Sequence, residues 1–143
     1  MRYLLVDAHS VIFSCAELHD VHVRNAMVAR EELMRRLTAY QDATGVRVVA
    51  VFDGKGERSN SEKAEGGIQV FYSGGGKTAD CIIERLAAKY AREHDITAAT
   101  NDGLVQQTVI TFGGLAISVE ALVRLLDEAE REVTRRIWQL RKS

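Results

Sequence analysis

Some residue types and patterns are scarce in this 143-residue chain. The scarcity of cysteines and the lack of long apolar runs each exclude a class of protein. Proline is absent, and the two cysteines, Cys15 and Cys81, have neither C-x-x-C spacing nor a neighbouring histidine cluster. Such cysteines indicate reduced thiols rather than a zinc site or a disulfide framework. No apolar run approaches the ~20 residues that a membrane-spanning helix needs. We therefore expect a domain without structural metal–thiolate centres and without contact with membranes.

Excess charge of either sign is also missing, since the formal net charge is -1. With 46% hydrophobic and 27% charged residues, the composition is typical of one soluble globular domain, spanning residues 1–143. Asp7 interrupts the apolar stretch at the N-terminus, which argues against a secretory signal and predicts a cytoplasmic location. A polyanion such as RNA would have to be held by a local patch or by metal ions.

Strand-like and helix-like segments alternate along the sequence. Short apolar or β-branched runs predict strands at 2–7, 46–52, 68–72 and 96–100. Apolar residues at helical spacing predict helices at about 25–43, from 78 to about 94, at 104–112 and at 118–141. The polar, glycine-rich residues 54–67 predict a surface loop. This alternation indicates an α/β fold with a mainly parallel central sheet and a long C-terminal helix.

The segment "SGGGKT", residues 73–78, is a candidate phosphate-binding loop. A P-loop requires G-x-x-x-x-G-K-[ST], and Gly76, Lys77 and Thr78 match its end. Phe71, however, stands where the first glycine is needed. A glycine-rich turn in which the Thr78 hydroxyl caps the next helix is the simpler interpretation. A nucleotide-hydrolysing switch remains an alternative that titration with ATP or GTP would test.

Acidic residues follow every predicted strand at the same end. Asp7 and Asp53 close the first two strands, Asp80 lies in the first turn after the third, and Asp102 follows the fourth. The carboxyl ends of parallel strands line one crevice, so the four side chains could converge there. Clustered carboxylates favour Mg²⁺ or Mn²⁺, and such ions activate water for phosphodiester hydrolysis. A nuclease is therefore indicated, although each aspartate alone is also explained as a turn or cap residue.

Polar and cationic residues near that edge are candidates for substrate binding. Candidates for phosphate contact are Lys55, Arg58, Lys63 and Lys77, and Ser10 and Asn101 could orient a water or a phosphate. Taken singly, each of the four cations is better explained as a solvated side chain, and Ser10 and Asn101 are equally well explained as local caps. His9 lies next to the same edge and could help to position substrate.

Four segments together resemble the YacP-like branch of the NYN domains, which belong to the PIN-like ribonuclease superfamily. They are "LLVDAHSVIF", "YQDATGVRVVAVFDG", "VFYSGGGKTADCIIERL" and "TNDGLVQQTVITFGG", in the order and spacing of the family. The resemblance implies a PIN-like three-layer α/β/α fold and metal-dependent endoribonuclease activity, in some members directed at messenger RNA on the ribosome. It matches Asp7, Asp80 and Asp102 to the acidic metal site and Asp53 to the acid after the second strand.

The chain departs from the family pattern beside two of these aspartates. "DAHS" at 7–10 replaces the usual "DGYN", and Lys77 replaces the acid that often precedes "TAD". Ser10 retains a hydroxyl that can hydrogen-bond to Asp7. Our hypothesis is an Mg²⁺- or Mn²⁺-dependent endoribonuclease. The alternative is a non-catalytic RNA- or ribosome-binding protein that keeps the fold.

Overall fold

A computed structural model of the chain describes residues 1–54, 62–63 and 67–142. Six strands and six helices lie within these residues. The strands are β1 (Arg2–Asp7), β2 (Arg47–Phe52), β3 (Glu62–Lys63), β4 (Gln69–Tyr72), β5 (Asp95–Ala99) and β6 (Leu115–Ile117). The helices are α1 (Ala8–Ser14), α2 (Ala16–Arg24), α3 (Ala26–Thr44), α4 (Ala79–Tyr90), α5 (Gly103–Thr111) and α6 (Val119–Lys142).

The strands form one sheet in the order β3-β4-β2-β1-β5-β6. Strand β1 lies in the middle and pairs in parallel with both β2 and β5, and of the six described strands only β3 runs antiparallel. From β1 the chain moves outward through β2 to β4, and then returns to β5 on the other side of β1. The direction of winding therefore reverses between β1 and β5, and such a reversal opens a crevice at the carboxyl ends of the strands.

Both faces of the sheet are covered, because side chains alternate along each strand. Leu4 and Val6 of β1 face a core formed with α1, α2, α3 and α6. Leu5, between them, faces a second core formed with α4 and α5. Burial on both faces explains why the central strands are apolar almost without interruption. The result is the three-layer α/β/α fold with a mainly parallel sheet that the sequence and the resemblance predicted.

Helices α3 and α6 belong to the layer that covers one face of the sheet together with α1 and α2, and local sequence determines where α3 begins and ends. The Asn25 side chain accepts hydrogen bonds from the backbone N–H groups of Met27 and Val28, which starts α3. Gly45, at φ 75°, adopts the left-handed conformation that ends α3. In α6, Leu122, Leu126 and Ala129 are buried, and residues 133–142 are exposed. No helix within the described ranges combines the length and apolar character needed to cross a bilayer.

Every predicted strand and helix is present close to its predicted position, but four elements were missed. Helices α1 and α2 follow β1 directly and are too short for a clear apolar period. Strand β6 has only three residues and lies at the sheet edge. Strand β3 lies within residues 54–67, where a loop was predicted, because its two polar residues carry no strand pattern. The rest of that predicted loop, residues 55–61 and 64–66, lies outside the described residues.

We predict that Gly114→Ala destabilises the fold by about 1–3 kcal/mol, the usual cost of overpacking a core. A Cβ at this position would lie 2.8 Å from Cγ1 of Val109 and 3.0 Å from the carbonyl oxygen of Ile96. Chemical denaturation with urea measures the free energy of unfolding. Gly103→Ala is the matched control, since a Cβ there meets nothing within 4 Å. Equal stability of the two variants would contradict this packing.

Candidate active site

The carboxylates predicted to converge do lie at the carboxyl edge of the sheet. Asp7 is the last residue of β1, and Asp53 directly follows β2. Asp102 caps α5 just beyond β5, on the other side of the winding reversal. Asp80 lies in the first turn of α4, the helix that packs with α5 on the other face of the sheet. Parallel pairing of β1 with β2 and β5 therefore brings together side chains that are separated by up to 95 positions between Asp7 and Asp102.

Asp7 is the most buried member of the group, with a relative exposure of 6%. Its Oδ2 accepts a hydrogen bond of 2.8 Å from the Ser10 hydroxyl. Burial raises the pKa of Asp7 above its ordinary value, hydrogen bonds from Ser10 partly oppose that shift, and the charge of Asp53 adds to it. Ser10 thus holds the Asp7 carboxylate in place, which is the contact that the sequence left open.

Asp53 and Asp102 are each fixed by the start of a helix. The Asp53 Oδ1 accepts a hydrogen bond from the backbone N–H of Ala79, the first residue of α4. The Asp102 Oδ1 accepts hydrogen bonds from the N–H groups of Leu104 at 2.9 Å and Val105 at 3.2 Å. Asp102 is thus the N-cap of α5, whereas Asp53 accepts the first N–H of α4 from the end of a neighbouring strand. These hydrogen bonds hold both carboxylates at the helix starts.

Asp80 carries the clearest electrostatic sign that the carboxylates are close together. Burial, followed in order of size by the negative charges of Asp7, Asp102, Asp53 and Glu84, raises the pKa of Asp80 to about 6. Thr78 starts the helix that holds Asp80, because its hydroxyl accepts the N–H of Cys81 as the predicted N-cap. The members of the predicted quartet therefore act on one another electrostatically.

The turns that carry the carboxylates are braced by residues that the sequence analysis missed. The buried Ser73 joins the ends of β2 and β4, since its hydroxyl accepts the N–H of Gly54 and its N–H donates to the carbonyl of Phe52. The fully buried Thr100 accepts the N–H of Asp102 through its hydroxyl. A polar residue one or two positions beyond an apolar strand is the only sequence signal for either.

The predicted substrate-binding residues have different environments. Lys77 is exposed in the turn before α4, close to Asp80 in sequence. The Asn101 amide donates to both carboxylate oxygens of Glu120 and accepts the N–H of Val119, so it joins the end of β5 to α6. Lys55 and Arg58 lie outside the described residues, as does the side chain of Lys63. For all of these residues, binding of substrate stays a prediction.

The chemistry of the donor set fits a hard divalent cation. The carboxylates are oxygen donors, and they repel one another in a way that a cation would relieve. Among the described side chains, no three His, Cys, Asp or Glu residues form a ready-made metal cage. Mg²⁺ does not need such a cage, because it keeps several waters and binds through one or two carboxylates plus substrate phosphates.

Comparison with known proteins gives consistent matches over almost the whole chain. The family model of the YacP-like NYN domain matches residues 4–143. The uncharacterized protein YacP of Bacillus subtilis (strain 168) is 31% identical over 142 residues, covering 98% of this chain and 84% of that protein. The crystal structure of Rae1 (YacP) from Bacillus subtilis superposes with a TM-score of 0.82 at 32% identity, covering 98% of this chain and 82% of that chain. A tryptophan-to-leucine mutant of Rae1 gives a TM-score of 0.83 at 30% identity, covering 99% of this chain and 84% of that chain.

We predict that in metal-free protein the Asp80 carboxyl titrates with a pKa of about 6. The folded state then binds a proton that the unfolded chain has released, so stability falls as the pH rises from about 4 through 6. Asp7→Asn removes a neighbouring charge and should move the pKa of Asp80 toward its ordinary value. Carboxyl ¹³C NMR in EDTA measures both values. Asp42→Asn, on an exposed part of α3, should leave the pKa of Asp80 where it is.

Proposed function

Because the chain belongs to the YacP-like NYN domain family, we propose that it is a metal-dependent endoribonuclease that hydrolyses RNA phosphodiester bonds. The NYN domain indicates a hydrolase of the nuclease type. Dependence on Mg²⁺ or Mn²⁺, endonucleolytic cleavage and RNA as the substrate are the parts that we add. A cytoplasmic location and messenger RNA in a translation-linked setting are the context that we expect from the resemblance.

The observation that carries the proposal is the convergence of carboxylates at the winding reversal of the sheet. Asp7, Asp80 and Asp102 would hold the cation, and Asp53 would support them through the start of α4. A bound Mg²⁺ or Mn²⁺ supplies activation of the attacking water and stabilisation of the leaving oxygen. Carboxylates at this density attract RNA only when a cation is bound.

The protein's own groups contribute position and proton control. Ser10 holds the Asp7 carboxylate through a hydrogen bond of 2.8 Å, and the caps of α4 and α5 hold Asp53 and Asp102. Asp80 binds a proton below about pH 6, so cation binding must displace that proton and weakens in acid. Lys77 is exposed in the turn before α4, three positions before Asp80, and is our candidate for contact with a phosphate on that side.

The second candidate function is RNA or ribosome binding without turnover. It is favoured by the "DAHS" segment, where Ala8, His9 and Ser10 replace the residues usual beside Asp7. In this case RNA binding would not depend on the Asp80 carboxylate, and no divalent ion would give cleavage. The hydrogen bond from Ser10 to Asp7 argues for the catalytic candidate, since it keeps the acid positioned despite the departure.

We predict that the purified protein cleaves end-labelled RNA in Mg²⁺ or Mn²⁺ and that EDTA abolishes cleavage. Asp7→Asn should lower the cleavage rate by roughly 10²-fold or more, since it removes a charged ligand while an amide oxygen can still accept from Ser10. Gel analysis of internal fragments distinguishes endonucleolytic from exonucleolytic cleavage.

Asp42→Asn serves as the charge-matched control and should cleave at the rate of the unsubstituted chain. Mn²⁺ binding, followed by electron paramagnetic resonance without RNA, should weaken on Asp80→Asn. Cleavage that survives both EDTA and Asp7→Asn would refute the proposed mechanism. RNA binding without cleavage in any divalent ion, unchanged by Asp80→Asn, would instead support the non-catalytic candidate.

A further inference from the structure

A continuous row of aromatic rings leads away from the carboxylates along the side of β2 and α1. Tyr72 stacks on Phe52 with ring centroids 5.7 Å apart, and Phe52 meets His9 edge-on at 5.6 Å. His9 in turn meets Phe13 at 6.3 Å, and Phe13 meets His22 at 4.9 Å. Phe52 directly precedes Asp53, and His9 follows Asp7 by two positions. We call these rings, together with His19 beside Phe13, the aromatic row.

Arg30 of α3 lies over the part of the row that is nearest to the carboxylates. Its guanidinium carbon is 4.3 Å from the centroid of the Phe52 ring, and one guanidinium nitrogen donates a hydrogen bond of 2.9 Å to the Tyr72 hydroxyl. Both partners end strands, so they stand at the carboxyl edge of the sheet. The guanidinium is therefore oriented on two sides and held beside the acidic crevice.

The neighbours of Arg30 on α3 show that its environment is unusual. Arg35 and Arg36 form salt bridges with Glu32, and Arg36 also pairs with Glu17. Arg30 forms no salt bridge with a carboxylate of the described residues. Within the described residues, Arg30 donates this one hydrogen bond, to Tyr72, whereas a guanidinium has five N–H donors. A guanidinium that is held in position and has no carboxylate partner among the described residues, next to a candidate site for phosphodiesters, has the geometry to bind a phosphate.

Phe13, at the other end of the aromatic row from Arg30, provides an exposed ring. Its side chain lies on α1 with a relative exposure of 53%, although α1 buries Val11 and Ile12 beside it. His19 and His22 of α2 flank the ring edge-on, at 5.8 Å and 4.9 Å. An exposed ring that neighbours hold in position offers a face on which a nucleic-acid base can stack.

We propose that Arg30 and the aromatic row bind the single-stranded part of the RNA substrate beside the carboxylates, Arg30 holding a backbone phosphate and Phe13 stacking on a base. This inference rests on the proposed function and adds the residues that contact the RNA strand and the path that the strand follows. Bases paired in a duplex are already stacked and turn their faces inward, so an exposed ring selects unpaired nucleotides. The path runs from the crevice toward α1 and α2, on the side of the sheet away from α4.

The test measures binding of a fluorescent single-stranded 12-nucleotide RNA in Mg²⁺, with Asp80→Asn present in every protein to prevent cleavage. Arg30→Gln should weaken binding roughly tenfold and lower the slope of log Kd against log[KCl] by about 0.7, the value for one phosphate contact on a single strand. Phe13→Ala should also weaken binding roughly tenfold but leave that slope unchanged, because stacking releases no counterions. Arg30→Lys should retain the slope.

Matched controls lie at the opposite edge of the sheet. Arg47→Gln, at the start of β2, and Phe112→Ala, after α5, remove an exposed cation and an exposed ring and should change neither quantity. Thermal unfolding verifies that each variant is folded. If Arg30→Gln does not fold, Arg30→Met, which keeps an aliphatic chain on the Phe52 ring, takes its place with the same expected slope.

The outcomes separate this inference from the proposed function. An unchanged slope in Arg30→Gln, a slope change of equal size in Arg47→Gln, or duplex RNA competing as well as the single strand would each overturn it. RNA cleavage by the protein with an intact Asp80 reports on the proposed function independently. Failure of the Asp80→Asn protein to bind the single strand, together with cleavage by the protein with an intact Asp80, would overturn this inference and leave the proposed function standing.

Discussion

Parallel pairing of β1 with β2 and β5 is the constraint on which the rest of the molecule depends. It places the carboxyl ends of three neighbouring strands at one edge, and the reversal of winding beside β1 leaves that edge open. The helices that return the chain must start or end there, which supplies the caps that hold Asp53 and Asp102. Fold and candidate site are therefore consequences of the same pairing.

The carboxylates at this edge destabilise the folded state. In the part of the chain that the structure describes, none of Asp7, Asp53, Asp80 and Asp102 forms a salt bridge. Burial and, after it, repulsion from the other carboxylates raise the pKa of Asp80, which means that the folded state disfavours its charged form. A chain selected only for stability would place amides or apolar residues at some of these positions. Local electrostatic conflict of this kind is typical of functional sites.

The sequence was sufficient to predict the elements whose apolar residues form a run or recur at a regular spacing. Apolar runs and helical spacing predicted β1, β2, β4, β5 and four helices, and the alternation predicted the edge at which the aspartates meet. Elements of two or three residues, such as β3 and β6, have no period to detect and depend on pairing with a neighbour. The bond from Ser10 to Asp7 was foreseeable because it is local. Arg30 was not, because its partners Phe52 and Tyr72 come from distant strands.

Helix α6 has a buried part and an exposed part that differ in local stability. Up to Ala129 its apolar side chains are buried in the core that it shares with α1, α2 and α3, so those turns unfold only with the core. From residue 133 to 142 every side chain is exposed, and the backbone hydrogen bonds there are maintained by the helix itself rather than by packing. Amide protons in this last part should exchange through fraying of the helix end, at a free energy far below that of global unfolding. The chain thus continues as a helix beyond the limit of its own core.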